Sequence, residues 1–193
     1  MSYEPKNYEN LIGISGLGEQ LLKNHFVLYQ GYINNVNKLD ATLKAMAKDE
    51  KLGTPEFAEL NRRFGWEFNG MRLHEYYFEN LSKNGGKIDE NSELSKKLIN
   101  EWGSYGAWEK DFKSIGLMRG IGWVILYYDE KRDRLFNVWI NEHDVGHLSG
   151  AVPLLVMDVF EHAFITDYGL KRADYIEAFF KNINWEAADK RMK

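Results

Sequence analysis

The sequence of 193 residues contains no cysteine. This absence excludes disulfide bonds, thiolate metal ligands and thiol nucleophiles, so any bound metal must take nitrogen and oxygen ligands. No stretch of the chain approaches the roughly 18 consecutive apolar residues that a membrane-spanning helix requires. We therefore expect neither a disulfide framework nor a membrane partner.

A strong charge of either sign is also missing. The 25 basic and 29 acidic residues leave a formal net charge of −4, which argues against a surface built for nucleic acid. A small anionic substrate remains compatible, because a local positive potential can outweigh a weakly negative total. The first ten residues, MSYEPKNYEN, lack the basic and apolar stretches of a secretory signal, so we expect a cytoplasmic protein.

The first half of the chain has the apolar period of two long helices. Thr54 and Pro55 are suited to the cap and first turn of the second helix. The apolar face of the first helix comprises Leu21, Leu22, His25, Leu28, Tyr29, Tyr32, Ile33 and Val36. That of the second comprises Phe57, Leu60, Phe64, Phe68, Met71 and His74. We expect an antiparallel helical hairpin that brings His25 and His74 close together.

The second half changes period. The polar, glycine-containing segment 82–87 suggests a boundary between an N-terminal helical domain, residues 1–84, and a C-terminal domain, residues 85–193. After two helical segments, the strand formers of 123–128 and 135–140 flank a polar turn and predict a β-hairpin. Residues 152–156 are a candidate third strand, and the chain returns to helix at its end. The predicted fold class is α+β.

Candidate metal ligands lie at apolar edges of these elements. Asp158 and His162 follow an apolar run at a spacing that places a carboxylate and an imidazole on one side of a helix or tight turn. Such a pair is also consistent with an ordinary surface or capping contact. His25 and His74, taken singly, fit hydrogen-bonded core histidines as well as ligands. Together the four side chains suit iron, manganese or zinc, and their spacing does not choose among these metals.

Four segments of the chain resemble iron/manganese superoxide dismutases, in the same order along the sequence. They are FNGMRLHEYYF at 68–78, RGIGW at 119–123, MDVFEHA at 157–163, and the tail with RADY at 172–175 and NWE at 184–186. The resemblance covers nearly the whole chain. It implies an N-terminal antiparallel helical hairpin and a C-terminal α/β domain with a three-stranded antiparallel sheet, with the metal site between them.

The resemblance also implies a ligand set and an activity. One iron or manganese ion per subunit would be held by His25, His74, Asp158 and His162, and would convert superoxide to oxygen and hydrogen peroxide. By resemblance, the combination of Gly70 with His143 occurs in iron enzymes and in metal-interchangeable members, and it favours iron slightly. The alternative function is that of a dismutase-like metal-binding or structural protein with little dismutase activity.

Two further residues receive roles by resemblance. Tyr32 matches the tyrosine beside the substrate path, and His143 falls where many manganese enzymes have a glutamine that hydrogen-bonds the metal-bound solvent. The alternative for His143 is a solvent-facing residue at a strand end. Trp123 and Phe160 would form an apolar wall. His147, in a loop, is expected at the surface and receives no role.

The resemblance implies a homodimer formed through Glu161 and His162. The chain also departs from the family at two positions. In the family, a tyrosine and a histidine hydrogen-bond to each other across the dimer. Here Ile165 stands in place of the tyrosine, and Tyr29 or Leu28 stands in place of the histidine. We expect that bond to be absent here.

The spacing in the first helix departs from the family as well. From His25 to Tyr32 the chain is one residue shorter than is common, and without a local adjustment Asn24 would occupy the ligand position. We prefer His25, because asparagine is a poor substitute for imidazole.

Overall fold

A computed structural model of the chain describes residues 2–192. Seven α-helices lie within this range: α1 (Glu19–Lys48), α2 (Pro55–Glu79), α3 (Glu93–Trp102), α4 (Tyr105–Gly116), α5 (Ile165–Tyr168), α6 (Arg172–Phe180) and α7 (Trp185–Arg191). The strands are β1 (Gly122–Asp129), β2 (Arg134–Asn141) and β3 (Val152–Asp158), with short 3₁₀ helices at Glu9–Leu11 and Glu161–Ala163. The predicted α+β class, with a helical hairpin followed by a three-stranded antiparallel sheet, is confirmed.

The helical hairpin forms where the apolar period and the cap residues predicted it. The hydroxyl of Thr54 accepts a hydrogen bond from the Phe57 N–H at 3.2 Å, and Pro55 occupies the first turn of α2. The prediction that Leu28 belongs to the buried face of α1 is wrong, since 38% of this residue is exposed. The buried stripe of α1 is narrower than predicted and consists of Leu21, Leu22, His25, Tyr29, Ile33 and Val36.

The sheet places one end of its third strand beside the helical hairpin. Its strand order is β2-β1-β3, with β1 antiparallel to both neighbours. Trp123, near the start of β1, pairs with Asp158, the last residue of β3. Both side chains are fully buried, as is most of β1. The Asp158 carboxylate therefore lies at the end of β3, on the side of the sheet that α1 and α2 cover.

Asn80 connects the end of α2 to the outer edge of β3. This buried side chain donates to the Leu154 carbonyl at 3.2 Å and accepts from the Val156 N–H at 3.0 Å. Arg191 donates to the same Leu154 carbonyl at 2.8 Å. Side chains thus satisfy strand groups that would otherwise be buried without hydrogen bonds.

The predicted domain boundary falls in the segment that joins the two halves. Helix α2 ends at Glu79 and α3 begins at Glu93, so a boundary after residue 84 lies between them and stays a prediction. Among the described residues, no helix is both long and apolar enough to cross a membrane. The cytoplasmic location stays a prediction.

Replacing Asn80 with alanine is expected to destabilise the protein. The substitution removes the acceptor of the buried Val156 N–H, and an unsatisfied buried backbone group costs about 2 kcal/mol. The free energy of unfolding from urea denaturation of wild-type and variant, loaded with the same metal, measures this loss. The matched control is Asn84→Ala at an exposed site, which should stay within about 0.5 kcal/mol of wild type. An Asn80→Ala variant as stable as this control would contradict the expectation.

Candidate metal centre

Four side chains from four elements converge at the face between the hairpin and the sheet. His25 comes from α1, His74 from α2, Asp158 from the end of β3, and His162 from the following 3₁₀ turn. One ligand atom of each residue lies within 4.8 Å of those of the other three. The first three side chains are fully buried, and His162 is partly exposed. The structure therefore brings together all four candidates from the sequence.

The carboxylate of Asp158 lies at the centre of this group. Its Oδ2 is 3.1 Å from Nε2 of His25 and 3.1 Å from Nε2 of His162. Its Oδ1 accepts a hydrogen bond from the Phe160 N–H at 2.8 Å, which fixes the rotation of the carboxylate. Burial would raise the pKa of Asp158, but the two histidines outweigh it and hold this pKa well below its usual range. The group is an anion at any physiological pH.

His74 supplies the clearest sign that a cation belongs here. Its Nδ1 lies 2.5 Å from the carbonyl of Gly70, which can only accept, so Nδ1 carries the proton and Nε2 presents its lone pair. Nε2 is buried, has no hydrogen-bond partner among the described residues, and lies 3.7 Å from the Asp158 Oδ2. Burial holds the pKa of His74 well below its usual range, so this nitrogen stays unprotonated.

A buried lone pair facing a buried carboxylate is unfavourable unless a cation lies between them. Three imidazole nitrogens and one carboxylate oxygen form a donor set that suits iron, manganese or zinc. The hydrogen bond from His74 to Gly70 is the kind of outer contact that fixes the tautomer of a metal-bound histidine. The residues present therefore fit a metal ion.

The shortened spacing in the first helix is accommodated without irregularity. Helix α1 is α-helical from Glu19 to Lys48, so His25 and Tyr32, seven residues apart, lie about two turns apart on one face. Asn24 is exposed, and its side chain accepts from Gln20 at 2.8 Å. The structure places His25, not Asn24, among the candidate ligands.

Beside the ligands, Tyr32 and His143 form a hydrogen-bonded pair. The tyrosine oxygen lies 2.8 Å from Nε2 of His143, and the indole of Trp123 donates to Nδ1 at 3.1 Å. Because an indole N–H only donates, Nδ1 accepts, and the neutral ring carries its proton on Nε2, which donates to Tyr32. Burial lowers the pKa of His143 to about 4, so the ring is neutral at pH 7. The alternative of a solvent-facing residue is wrong, since His143 is fully buried.

The expected aromatic wall is present. The ring centroid of Trp123 lies 5.0 Å from that of His74 in an edge-on contact. Phe160 stacks on both His143, at 4.8 Å, and His162, at 5.2 Å. These rings exclude water from one side of the site, which strengthens the electrostatic interactions within it.

Two contacts of His143 were missed by the sequence reasoning. The ring of Trp66 lies 4.4 Å from that of His143. His147 lies 2.9 Å, through Nε2, from the main-chain carbonyl of His143, and 2.6 Å, through Nδ1, from the hydroxyl of Tyr127. The expectation of a surface position for His147 holds only in part, because the residue is half-buried and both of its ring nitrogens are engaged. The four-residue spacing of two histidines in one loop was the only available signal.

The structure shows the surroundings of Tyr29 and Ile165, two residues at the positions where the chain departs from the family. Tyr29 is buried, and its hydroxyl donates to Glu75 at 2.9 Å and accepts from the Lys6 N–H at 3.2 Å. This hydroxyl therefore serves the packing within the subunit. Ile165 is 47% exposed and has no polar side-chain atom. The absence of the cross-subunit bond stays a prediction.

The fold and the site together define a class of metalloprotein. In this class a helical hairpin and a three-stranded sheet share one metal site, which is lined by histidines and a carboxylate. Residues 90–191 match the family described as iron/manganese superoxide dismutases, C-terminal domain. The chain is 34% identical over 189 residues to superoxide dismutase [Mn] 2 of Haloferax volcanii, covering 96% of this chain and 93% of that protein. It is 36% identical over 183 residues to superoxide dismutase [Fe] of Cupriavidus metallidurans, covering 92% and 89% respectively.

A third relative, superoxide dismutase [Fe] of Aquifex pyrophilus, is 33% identical over 195 residues, covering 98% of this chain and 91% of that protein. The chain belongs to the iron/manganese superoxide dismutase family. Its relatives carry both metals in their names, so membership does not separate iron from manganese.

Gly70 leaves the space that the ring of Tyr32 occupies. A Cβ added at Gly70 would lie 2.6 Å from Cδ1 of Tyr32, so Gly70→Ala is expected to displace the ring and to cost about 1–3 kcal/mol of unfolding free energy. The matched control is Gly65→Ala in the same helix, where nothing lies within 4 Å. That variant should gain up to about 1 kcal/mol from helix propensity. Thermal denaturation compares the two, and equal stabilisation of both would contradict this account.

Proposed function

We propose that the chain is a superoxide dismutase in which His25, His74, Asp158 and His162 hold one iron or manganese ion. The observation that carries the proposal is the unprotonated Nε2 of His74, which is buried 3.7 Å from the Asp158 carboxylate and has no hydrogen-bond partner among residues 2–192. Family membership supplies the redox class, since zinc, which the donor set also suits, does not change its oxidation state.

The ion that these four side chains would hold would supply one-electron redox chemistry, by which two superoxide ions and two protons would give one oxygen and one hydrogen peroxide. Asp158 contributes a fixed negative charge, which stabilises the more highly charged oxidation state. The three imidazoles are neutral donors. Trp123 and Phe160 line the site with apolar rings.

Tyr32 is the group proposed to deliver a proton to the site. His143 gives its only ring proton to the Tyr32 oxygen, so the hydroxyl hydrogen of Tyr32 is free to point toward a bound anion. Burial raises the pKa of Tyr32, so the hydroxyl remains protonated through the physiological range. His143 acts by holding this hydroxyl in place.

Iron is the proposed resident metal, by a narrow margin. The pairing of Gly70 with His143 favours iron slightly by resemblance, while the relatives are named for either metal. A protein that works with both metals agrees equally well with the donor set.

The proposed partner is a second copy of the chain. A groove of about 1080 Å³ borders Glu161, next to the candidate ligand His162, and its lining includes exposed apolar side chains of Met118, Ile165 and Leu170. Contiguous exposed apolar surface of this kind is typical of a protein interface. Glu161 is exposed at its edge, where its carboxylate is available to bond His162 of the second copy.

The first experiment compares His25→Ala with Asn24→Ala. Each variant and the wild type are stripped of metal, reconstituted separately with iron or manganese, and assayed for bound metal and superoxide dismutation. We expect His25→Ala to lose stoichiometric metal and at least about a hundredfold of activity, because a ligand is removed. Asn24→Ala, altered at the adjacent exposed position, should match wild type. Wild-type protein that binds either metal stoichiometrically without dismutation would support the alternative, a metal-binding protein with little activity.

The dimer is tested by placing a charge in the groove. Sedimentation of metal-loaded wild type is expected to give twice the monomer mass, and Ile165→Arg to give the monomer mass, because a buried unpaired charge opposes association. Leu52→Arg is the control, since Leu52 is exposed at the far end of the helical hairpin and should leave the dimer intact. A monomeric wild type would overturn this part of the proposal.

A further inference from the structure

His143 lies in a tight turn that is closed by backbone hydrogen bonds and that contains one residue in a disfavoured backbone conformation. Asn141 and Val145 exchange backbone hydrogen bonds of 2.8 and 3.3 Å, and the Glu142 N–H donates to the Ile121 carbonyl at 3.1 Å. Glu142 has a φ of 51°, in the left-handed region that non-glycine residues rarely adopt. Such a conformation persists only when surrounding contacts determine it. We call residues 142–147 the His143 loop.

One of these contacts is made by the last residue of the loop. Nε2 of His147 lies 2.9 Å from the main-chain carbonyl of His143, and because a carbonyl only accepts, Nε2 carries the proton and donates. Nδ1 of His147 lies 2.6 Å from the hydroxyl of Tyr127 on β1. Burial raises the pKa of Tyr127, so its hydroxyl keeps a proton to donate. The sheet, through Tyr127, thus orients the His147 imidazole, and this imidazole restrains the His143 loop.

A second contact ties the other end of the His143 loop to the helical hairpin. The indole of Trp66 on α2 donates to the Glu142 carboxylate at 3.1 Å. The Arg63 guanidinium lies 3.8 Å above the Trp66 ring and forms an ion pair of 2.7 Å with the buried Glu67. Trp66 is therefore itself restrained. The loop is held by the sheet through His147 and by α2 through Trp66.

We propose that His147, oriented by Tyr127, is a positioning residue of the proposed dismutase site. By donating to the main-chain carbonyl of His143, it keeps the His143 imidazole at its 2.8 Å contact with Tyr32. His147 acts only through His143, because its two ring nitrogens are occupied by Tyr127 and by that carbonyl. The role requires a donor and an acceptor on one planar group, which imidazole provides.

The test replaces the donor while keeping the size of the ring. Metal-loaded His147→Phe is compared with wild type for the Tyr32–His143 distance in crystals, the reduction potential of the metal, and kcat. We expect the distance to exceed 3.5 Å, the potential to shift, and kcat to fall about tenfold, the lower range for loss of an outer contact. His147→Gln, which can still donate and accept, should restore kcat to within about twofold. Bound metal and thermal midpoint report whether each variant is folded.

A double-variant cycle distinguishes positioning from a general structural effect. If His147 acts through His143, then His143→Ala combined with His147→Phe has the same reduction potential as His143→Ala alone. Additive shifts would overturn the proposal, as would a His147→Phe variant with wild-type distance and potential. Tyr127→Phe removes one hydroxyl and leaves the His147 ring in place. It should shift the potential in the same direction as His147→Phe, and no shift would overturn the proposed role of the pair.

The inference rests on the proposed function, but the two fail in different ways. The distance and the potential are measured without superoxide. A wild-type protein that shows no dismutation would defeat the proposed function, while the same crystals and titrations would still decide whether His147 positions His143.

Discussion

A carboxylate buried among three imidazoles is the constraint on which the rest of this structure depends. Asp158 is fully buried, and an isolated charge in such a place would cost several kcal/mol. Its main-chain carbonyl accepts from Tyr175 at 2.7 Å, and its outer carboxylate oxygen accepts from the Phe160 N–H. The inner oxygen is left for the candidate metal. The sheet, the turn after it and the C-terminal helices are thus arranged to hold one anion at one position.

The helical hairpin follows from the same constraint. It contributes the two fully buried histidines, His25 and His74, and so closes the side of the site that the sheet leaves open. Between them and the wall formed by Trp123 and Phe160, space is limited: even the Cβ of an alanine at Gly70 would collide with Tyr32. Residue 70 therefore has to be a glycine for the ring of Tyr32 to keep its place beside the ligands.

The local elements of this fold were predictable, and the contacts across it were only partly so. The hydrophobic period marked both helices, and Thr54 with Pro55 marked where the second one begins, since caps and propensity act within a few residues. The candidate ligands were found because histidines on apolar faces and an aspartate after a buried run are unusual. The resemblance then ordered them into one site.

His147 was missed because the partner that orients its ring, Tyr127, lies on another element. Nothing in the residue pattern indicates that Tyr127 and the carbonyl of His143 would both contact the His147 imidazole. Leu28 was misplaced for the opposite reason, because an apolar residue near the predicted face looks buried until the neighbouring helix is known. Long-range geometry decides both cases, and it depends on how the hairpin packs against the sheet.

Asn80 and Arg191 have a consequence beyond the stability of the strand that they contact. Free strand edges attract the edges of other chains, and intermolecular sheet extension is a common route to aggregation. Here the carbonyl of Leu154 and the N–H of Val156 are already engaged by side chains of the same molecule. That edge of β3 is closed to an incoming strand. An incoming strand would have to displace both side chains before it could extend the sheet at this edge.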